Sequence, residues 1–393
     1  MKSERKIRIC YVIDKLGVGG AERLTIETIN FLNKELFDVS LVYLLRNKDD
    51  GDLLHLLNPG INVRYFDLEK YKFFERIYEL SKAISGFDIV HSCLENSNLF
   101  CGLAKFLMRT NGKFISTIHG FDGIHIDDPN LRQFYSQMSY KHNVLHNQIQ
   151  NFVFKPYEKF IAVSHYTKKY LIEFRNVDTS KIEVIYHGIN LDSYSDSKLT
   201  DGSIKEKYGL LESDFVLGYV GRLSYAKGLE YMIDELKLII NVLPKIKLVI
   251  VGEGVLRKKL EALTIQNNIQ NNVIFTGVVK NVQEHYKIFD YLILPSMSEG
   301  LNLSILESMY FGIPVIASDS GGPKEIITHS KDGLLFRTGD FAEMGKLIIS
   351  AYNNEFDKPG IICEAEKTIR TRFDLKKNVE IIGKFLLEVH NAG

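Results

Sequence analysis

The chain has 393 residues, more than one ordinary hydrophobic core holds, so about two domains are expected. Its 45% hydrophobic and 25% charged residues give the composition of a soluble globular protein rather than a disordered or fibrous one. Lys+Arg and Asp+Glu stand at 49 each, so no overall field draws in nucleic acid and no polynucleotide partner is expected.

Cys10, Cys93, Cys101 and Cys363 are too scattered for a disulfide framework and lack zinc-ligand spacing, so buried reduced thiols are expected. The N-terminus places basic residues before an apolar run. Ile9 to Ile13 is shorter than the roughly 7–15 residues of a signal-peptide core, however, and Asp14 ends it. It reads as a first buried strand. No stretch reaches the roughly 18 apolar residues of a spanning helix, so the protein is expected to be soluble and at most peripheral to a membrane.

Short apolar runs alternate with amphipathic ones, the pattern of βα units around parallel sheets. Arg8–Ile13 is the first strand, the Gly17–Gly20 turn follows, and a helix starts near Ala21. Later strands are expected at Val39–Leu45, Ile61–Phe66, Ile89–His91, Phe114–Thr117, Phe160–Ser164 and Ile182–Tyr186. Leu131 to Lys155 has neither Gly nor Pro and reads as one long helix. Leu191–Gly202, rich in Ser and Asp, reads as a linker. A second set of strands follows at Val216–Val220, Leu248–Val251, Val273–Phe275, Tyr291–Leu294 and Val315–Ala317. The expected architecture is α/β: a doubly wound parallel-sheet domain over 1–195, another over 203–370, and a C-terminal helix over 371–393. Val379, Ile382, Phe385 and Leu386 of that helix face a core, and packing back on the first domain is one reading.

The densest chemical signal is Ser298 to Gly322. Glu299 follows a strand and loop, Gly300 and Leu301 make the turn, Asn302 can begin a helix, and Glu307 lies inside it. Backbone N–H groups of Leu303 and Ser304, in the first helical turn, form an anion site fit for a diphosphate. Glu299 and Glu307 can accept hydroxyl hydrogen bonds on either side of it. Equally, Glu299 can be a helix-start carboxylate and Glu307 a solvated one. On the loop after Val220, Arg222 and Lys227 suit a diphosphate as fork and point charge, although two solvated loop cations read the same way. This is not a P-loop, because no Gly precedes Lys227 and no Ser or Thr follows it. Gly17–Gly20 fails the dinucleotide fingerprint at Glu22, which disfavours a nicotinamide enzyme. Close approach to a ligand remains a use for Gly19 and Gly20. His119 sits at the carboxyl end of an expected strand, a structural or a site histidine on this information alone.

Taken together, these segments resemble the large retaining GT-B glycosyltransferase family with a Glu-x7-Glu motif, glycosyltransferase family 4 group 1. It includes bacterial mannosyl-, glucosyl- and N-acetylglucosaminyltransferases of surface polysaccharide and glycolipid synthesis. The likeness runs through GVGGAE at 17–22, TIHG at 117–120, VSHYTKKYL at 163–171 and VIYHGIN at 184–190. It continues through VGRLSYAKG at 220–228, VGEG at 251–254, FTGVV at 275–279, and SEGLNLSILE to SGGPKEII at 298–327. The resemblance implies a GT-B fold, two Rossmann-like domains facing across a cleft, with acceptor bound by the first and nucleotide-sugar donor by the second. Arg222 and Lys227 would bind the donor diphosphate, Glu299 the sugar hydroxyls, Glu307 the ribose, and the backbone near Val279 the base. His119 would touch the donor sugar from the other domain, and Gly19 and Gly20 would pass near the phosphates.

The implied reaction is retaining transfer of a hexose or N-acetylhexosamine, from a UDP-sugar ahead of GDP-mannose, to a glycan or lipid-linked acceptor. The acceptor would meet loops at Gly17–Gly20, His91–Asn98 and Gly120–Asp128. No cofactor is expected, the nucleotide-sugar being a co-substrate. No metal is expected either, the acidic run at 49–52 reading as a solvated loop. A non-catalytic subunit that binds a partner glycosyltransferase is the alternative. Asn302 and His187 depart from the family pattern, which usually has Gly or Pro and Asn there. Leu68–Ile84 interleaves Lys70, Lys72 and Arg76 with aromatics, so it reads either as a helix packed on its own sheet or as one lying on an anionic membrane. The implied location is the cytoplasm, peripheral contact with the inner face of the membrane being an open reading.

Overall fold

The computed structural model describes residues 5–17, 19–46, 53–120, 149, 151–194 and 202–392. The acidic run at 49–52, residues 121–128 of one expected acceptor loop, most of the expected long helix (131–148 and 150) and residues 195–201 of the expected linker lie outside them. The described residues form two compact units. One takes the chain up to Gly120, residues 149 to 187, and Leu375 onward; the other takes Gly188 to Asp374.

The first unit is built on strands β1 (Ile7–Ile13), β2 (Phe37–Tyr43), β3 (Asn62–Tyr65), β4 (Ile89–Ser92), β5 (Lys113–Ile118), β6 (Lys159–Ala162) and β7 (Ile182–Val184). They form one seven-stranded sheet in the order β3-β2-β1-β4-β5-β6-β7, every pairing parallel. Strands covered on both faces must be apolar nearly throughout, and β1 is buried along almost its whole length. The Leu375–Asn391 helix packs here: Val379, Ile382, Phe385 and Leu386 join Ile9, Ile26 and Phe37 in one core cluster. Lys113 Nζ donates to Ala392 O at 2.6 Å near the end of that helix.

The Leu68–Ile84 segment is not one helix. A short turn at Leu68–Lys70 gives way to extended Tyr71, and the helix proper runs Phe73–Ala83. Glu75 sets its start by accepting from the Lys72 backbone N–H at 3.0 Å. Ile77 and Leu80 enter the core while Phe73, Phe74 and Tyr78 stay in solvent, Phe74 at 71% exposure. Cys10, Cys93 and Cys101 are buried free thiols, with burial pushing Cys10 and Cys93 up to about 12; Cys363, against expectation, is exposed.

The second unit comprises β8 (Phe215–Val220), β9 (Ile246–Val251), β10 (Val273–Gly277), β11 (Tyr291–Leu294), β12 (Val315–Ser318) and β13 (Leu334–Phe336). Its parallel sheet has the order β10-β9-β8-β11-β12-β13. In both sheets the winding reverses once, between β1 and β4 and between β8 and β11. The loops leaving the carboxyl ends of those two strands diverge there and open a crevice where doubly wound sheets take ligands.

Candidate active site

In the second unit, the loop after β8 carries Arg222 and Lys227, and the loop after β11 carries Glu299 to Asn302. These are the two loops that flank the reversal point, so residues 72 positions apart in sequence meet: Lys227 Nζ donates to Glu299 Oε1 at 2.5 Å. The backbone fixes that meeting. Met297 N–H donates to Ala226 O at 2.8 Å, lashing one loop to the other. Gly228 takes the left-handed region at φ 67°, and a Cβ there would stand 2.1 Å from Pro295 O. Gly252, at φ 136°, lies so close to Gly221 O that a Cβ would fall 2.0 Å away, which packs the turn after β9 beneath the Arg222 loop.

Glu299 is buried, at 8% exposure. Its Oε1 accepts from Lys227 Nζ, from Ser296 Oγ at 2.9 Å and from Asn302 Nδ2 at 2.8 Å; among the described residues Oε2 accepts nothing. Burial would raise the carboxyl, but the Lys227 charge and these three donors outweigh it and hold Glu299 below its ordinary range. The result is an ionised carboxylate with one oxygen anchored and one left to accept a hydroxyl.

Asn302 does two things at once. Its Nδ2 orients Glu299, and its Oδ1 accepts from Ile305 N–H at 3.3 Å as the cap of the Leu303–Tyr310 helix. Gly300 and Leu301 form the turn between Glu299 and this cap. The first-turn N–H groups of Leu303 and Ser304 have no intrahelical acceptor. Ser304 Oγ donates to Val220 O at 2.8 Å, pinning the helix start to the end of β8. Glu307 is not a solvated face residue: it is buried, and its Oε2 accepts from the buried Tyr286 hydroxyl at 2.9 Å.

Arg222 is exposed, and its guanidinium makes no hydrogen bond or ion pair among the described residues. Its carbonyl accepts from Tyr219 OH at 2.9 Å. The Tyr219 phenol is pushed well up by burial and by the Glu299 charge, with Arg222 opposing, which places it within the field of both. Val279, two residues past β10, is half-buried. The structure thus brings Arg222, Lys227, Glu299, Gly300, Leu301, Asn302, Leu303, Ser304 and Glu307 onto the segments around one reversal point. Ser296, Tyr286 and Tyr219 were missed in the sequence. Tyr286 lies 21 positions before Glu307 on a separate element, and no local spacing announces it.

Gly19 and Gly20 start the Gly20–Phe31 helix of the first unit. A Cβ at Gly19 would meet only the Glu22 carboxylate, the movable end of a flexible side chain, and the backbone there is extended, so neither contact nor conformation demands glycine. His119 follows β5 and is half-buried, its Nε2 shielded and without a hydrogen-bond partner among the described residues. It stacks on His187 at 5.0 Å between ring centroids and 13° between planes. Among the described residues there is no cluster of three or more His, Cys, Asp or Glu arranged to hold a metal, and no helix long and apolar enough to cross a membrane.

Comparison with known proteins identifies the class of the chain. The family model "Glycosyl transferases group 1" matches residues 201–368, and "Glycosyltransferase Family 4" matches residues 18–193. The chain is 27% identical to the UDP-Gal:alpha-D-GlcNAc-diphosphoundecaprenol alpha-1,3-galactosyltransferase of Escherichia coli, over 86% of this chain and 87% of that one. It is 26% identical, over 98% of its length and 100% of the relative's, to the GalNAc-alpha-(1->4)-GalNAc-alpha-(1->3)-diNAcBac-PP-undecaprenol alpha-1,4-N-acetyl-D-galactosaminyltransferase of Campylobacter jejuni. Among solved structures, Anabaena HepE in complex with UDP-glucose has the same fold, with TM-score 0.82 and 20% identity over 97% of this chain and 100% of that one. With both halves matched by glycosyltransferase family models and full-length relatives named as glycosyltransferases, the chain is a glycosyltransferase enzyme of the GT-B fold and family 4 type.

Proposed function

We propose that this enzyme transfers a hexose or N-acetylhexosamine, with retention of anomeric configuration, from a UDP-sugar to a glycan or lipid-linked acceptor of cell-surface polysaccharide synthesis. The observation that carries the reading is the Lys227–Glu299 pair at the reversal point of the second unit, with Glu299 Oε2 open. In this reading the diphosphate lies at the first turn of the Leu303–Tyr310 helix, Lys227 and Arg222 offset its charge, and Glu299 Oε2 accepts a sugar hydroxyl. Glu307, steadied by Tyr286, accepts from the ribose, and the base lies by Val279. Within the first unit, His119 and the Gly19–Gly20 turn are read as substrate contacts. UDP is favoured because the Escherichia coli relative is named for UDP-Gal and the Anabaena neighbour holds UDP-glucose. GDP-mannose is the second donor to test.

The chemistry is a front-face displacement. The acceptor oxygen bonds to the anomeric carbon on the side from which the diphosphate leaves, the C–O bond to phosphate breaks, and the acceptor proton passes to the departing phosphate oxygen. No protein nucleophile is required; the protein stabilises the leaving charge through Lys227, Arg222 and the helix end. The proposal includes independence from metal. Peripheral membrane contact through Phe73, Phe74 and Tyr78, with Lys70, Lys72 and Arg76 on the same segment, is part of the reading and is supported by the exposure of those rings. Thermal-shift titration with UDP, GDP, ADP and CMP tests the donor, since a ligand bound only by the folded state raises Tm by mass action. NMR of the first-formed product tests retention. UDP alone stabilising the enzyme, an α-linked product and activity unchanged by EDTA are expected; stabilisation by none of the nucleotides would sink the donor reading.

A further inference from the structure

The His187 departure acquires a physical meaning in the first unit. His187 follows β7 and His119 follows β5, at the carboxyl edge of one sheet. His187 is buried at 3% exposure, and neither of its ring nitrogens has a hydrogen-bond partner among the described residues. A buried polar atom left unpaired is unfavourable, so the nitrogens do not explain the ring. What the ring does offer is its face, lying 13° from parallel with His119 at 5.0 Å. The last torsion of a histidine side chain is broad and two-fold, so an imidazole without a neighbour is loosely set in plane. An aromatic ring stacked on it removes that freedom, whereas the Asn usual at position 187 in the family presents no such ring.

We propose that His187 is a positioning residue whose ring face fixes the plane of His119, and with it the direction in which the ring edge of His119 meets substrate. The inference rests on the reading of His119 as a substrate contact. His91, near enough for the three histidines to feel one another's charge, has its Nε2 hydrogen-bonded to Thr117 Oγ1 at 2.7 Å and its ring 4.5 Å from that of Tyr11. Burial brings His187 down to about 4 and His91 to about 3, and burial with His187 and His91 nearby lowers His119 well below its usual value. All three rings are therefore neutral near pH 7, and the stack is not opposed by like charge.

Three variants separate the ring face from the nitrogens: His187→Phe, His187→Ala, and His119→Gln to identify the His119 resonances. NMR on histidine-labelled enzyme reads the ring shifts of His119. Turnover is followed with whichever of UDP-glucose, UDP-galactose and GDP-mannose the wild type converts fastest. His187→Phe keeps the ring-current displacement of His119 and a kcat within about threefold of wild type. His187→Ala loses the displacement and about tenfold in kcat, with KM for the nucleotide-sugar within about twofold. If His187→Phe is as impaired as His187→Ala, or if His187→Ala leaves the His119 shifts unchanged, the proposal is overturned. A wild type that binds no nucleotide fails the functional reading instead, and the NMR arm still decides the stack.

Discussion

The two units wind their sheets the same way and treat the point of reversal differently. In the first unit, Asp14 at the end of β1 reaches across to the Glu95–Met108 helix. Its carboxylate accepts from Ser97 N–H at 2.6 Å and from Asn96 N–H at 3.0 Å, so the chain's own anion fills that helix start. In the second unit the corresponding helix begins with neutral Asn302, and the nearby carboxylate, Glu299, is turned to Lys227 instead. One fold therefore presents one helix start filled by a carboxylate of the chain itself and one left to a neutral Asn cap. Function in such sheets lies in the side chains at the reversal point and not in the winding.

The largest effect that sharpens this contrast is expected at Lys227. Lys227→Ala leaves Glu299 charged, buried and missing its main partner, which destabilises by about 3–5 kcal/mol in chemical denaturation. Glu299→Gln, which removes the more buried charge of the pair and leaves the more exposed Lys227 ammonium, is expected to be the milder stability variant. A small loss from Lys227→Ala would mean that the pair is solvated and the site differently built.

The next effect belongs to the first unit and to pH. His187 ordinarily titrates near 6.5 and is brought to about 4 by burial. Between these values the unfolded chain takes up a proton that the folded one refuses, so stability falls as pH drops from about 6.5 to about 4. His91, brought to about 3, extends the loss further into acid. Denaturation midpoints of the wild type and His187→Phe, followed from pH 7 to 4, check this; the variant is expected to fall less steeply. Equal slopes would remove His187 from the account.

Smaller effects follow. Asp14→Ala uncaps the Glu95–Met108 helix at about 1–2 kcal/mol, with UDP affinity within about threefold of wild type. Tyr286→Phe removes one hydrogen bond to Glu307, about 1 kcal/mol, and weakens UDP by up to about tenfold through a less fixed carboxylate. If Asp14→Ala rather than Tyr286→Phe weakened UDP, the roles of the filled and Asn-capped helix starts would be reversed.

How far the sequence foretold this differs along the chain. Strands buried on both faces were legible because their apolar runs are bounded by turns, and β8 and β11 fall where Val216–Val220 and Tyr291–Leu294 were expected. The edge strand β13 was passed over, since three residues, Leu334 to Phe336, give no period to read. The helix over Leu68–Ile84 was drawn too long because its apolar spacing runs through Tyr71, where the backbone is extended. At the site, Lys227 and Glu299 were legible as separate loop residues. Their contact was not, since it depends on which strands are neighbours and not on distance along the chain. The His119–His187 stack was hidden for the same reason, β5 and β7 being separated in the sheet by β6.

The central claim is that a nucleoside diphosphate sits at the reversal point of the second unit. Calorimetric titration of UDP at low temperature into folded wild type, Lys227→Ala, Glu307→Gln and Asp14→Ala tests it most directly. The account predicts binding to wild type and Asp14→Ala with similar Kd, and at least about tenfold weaker binding to Lys227→Ala and Glu307→Gln. UDP bound equally by all four, or lost only with Asp14→Ala, would contradict it.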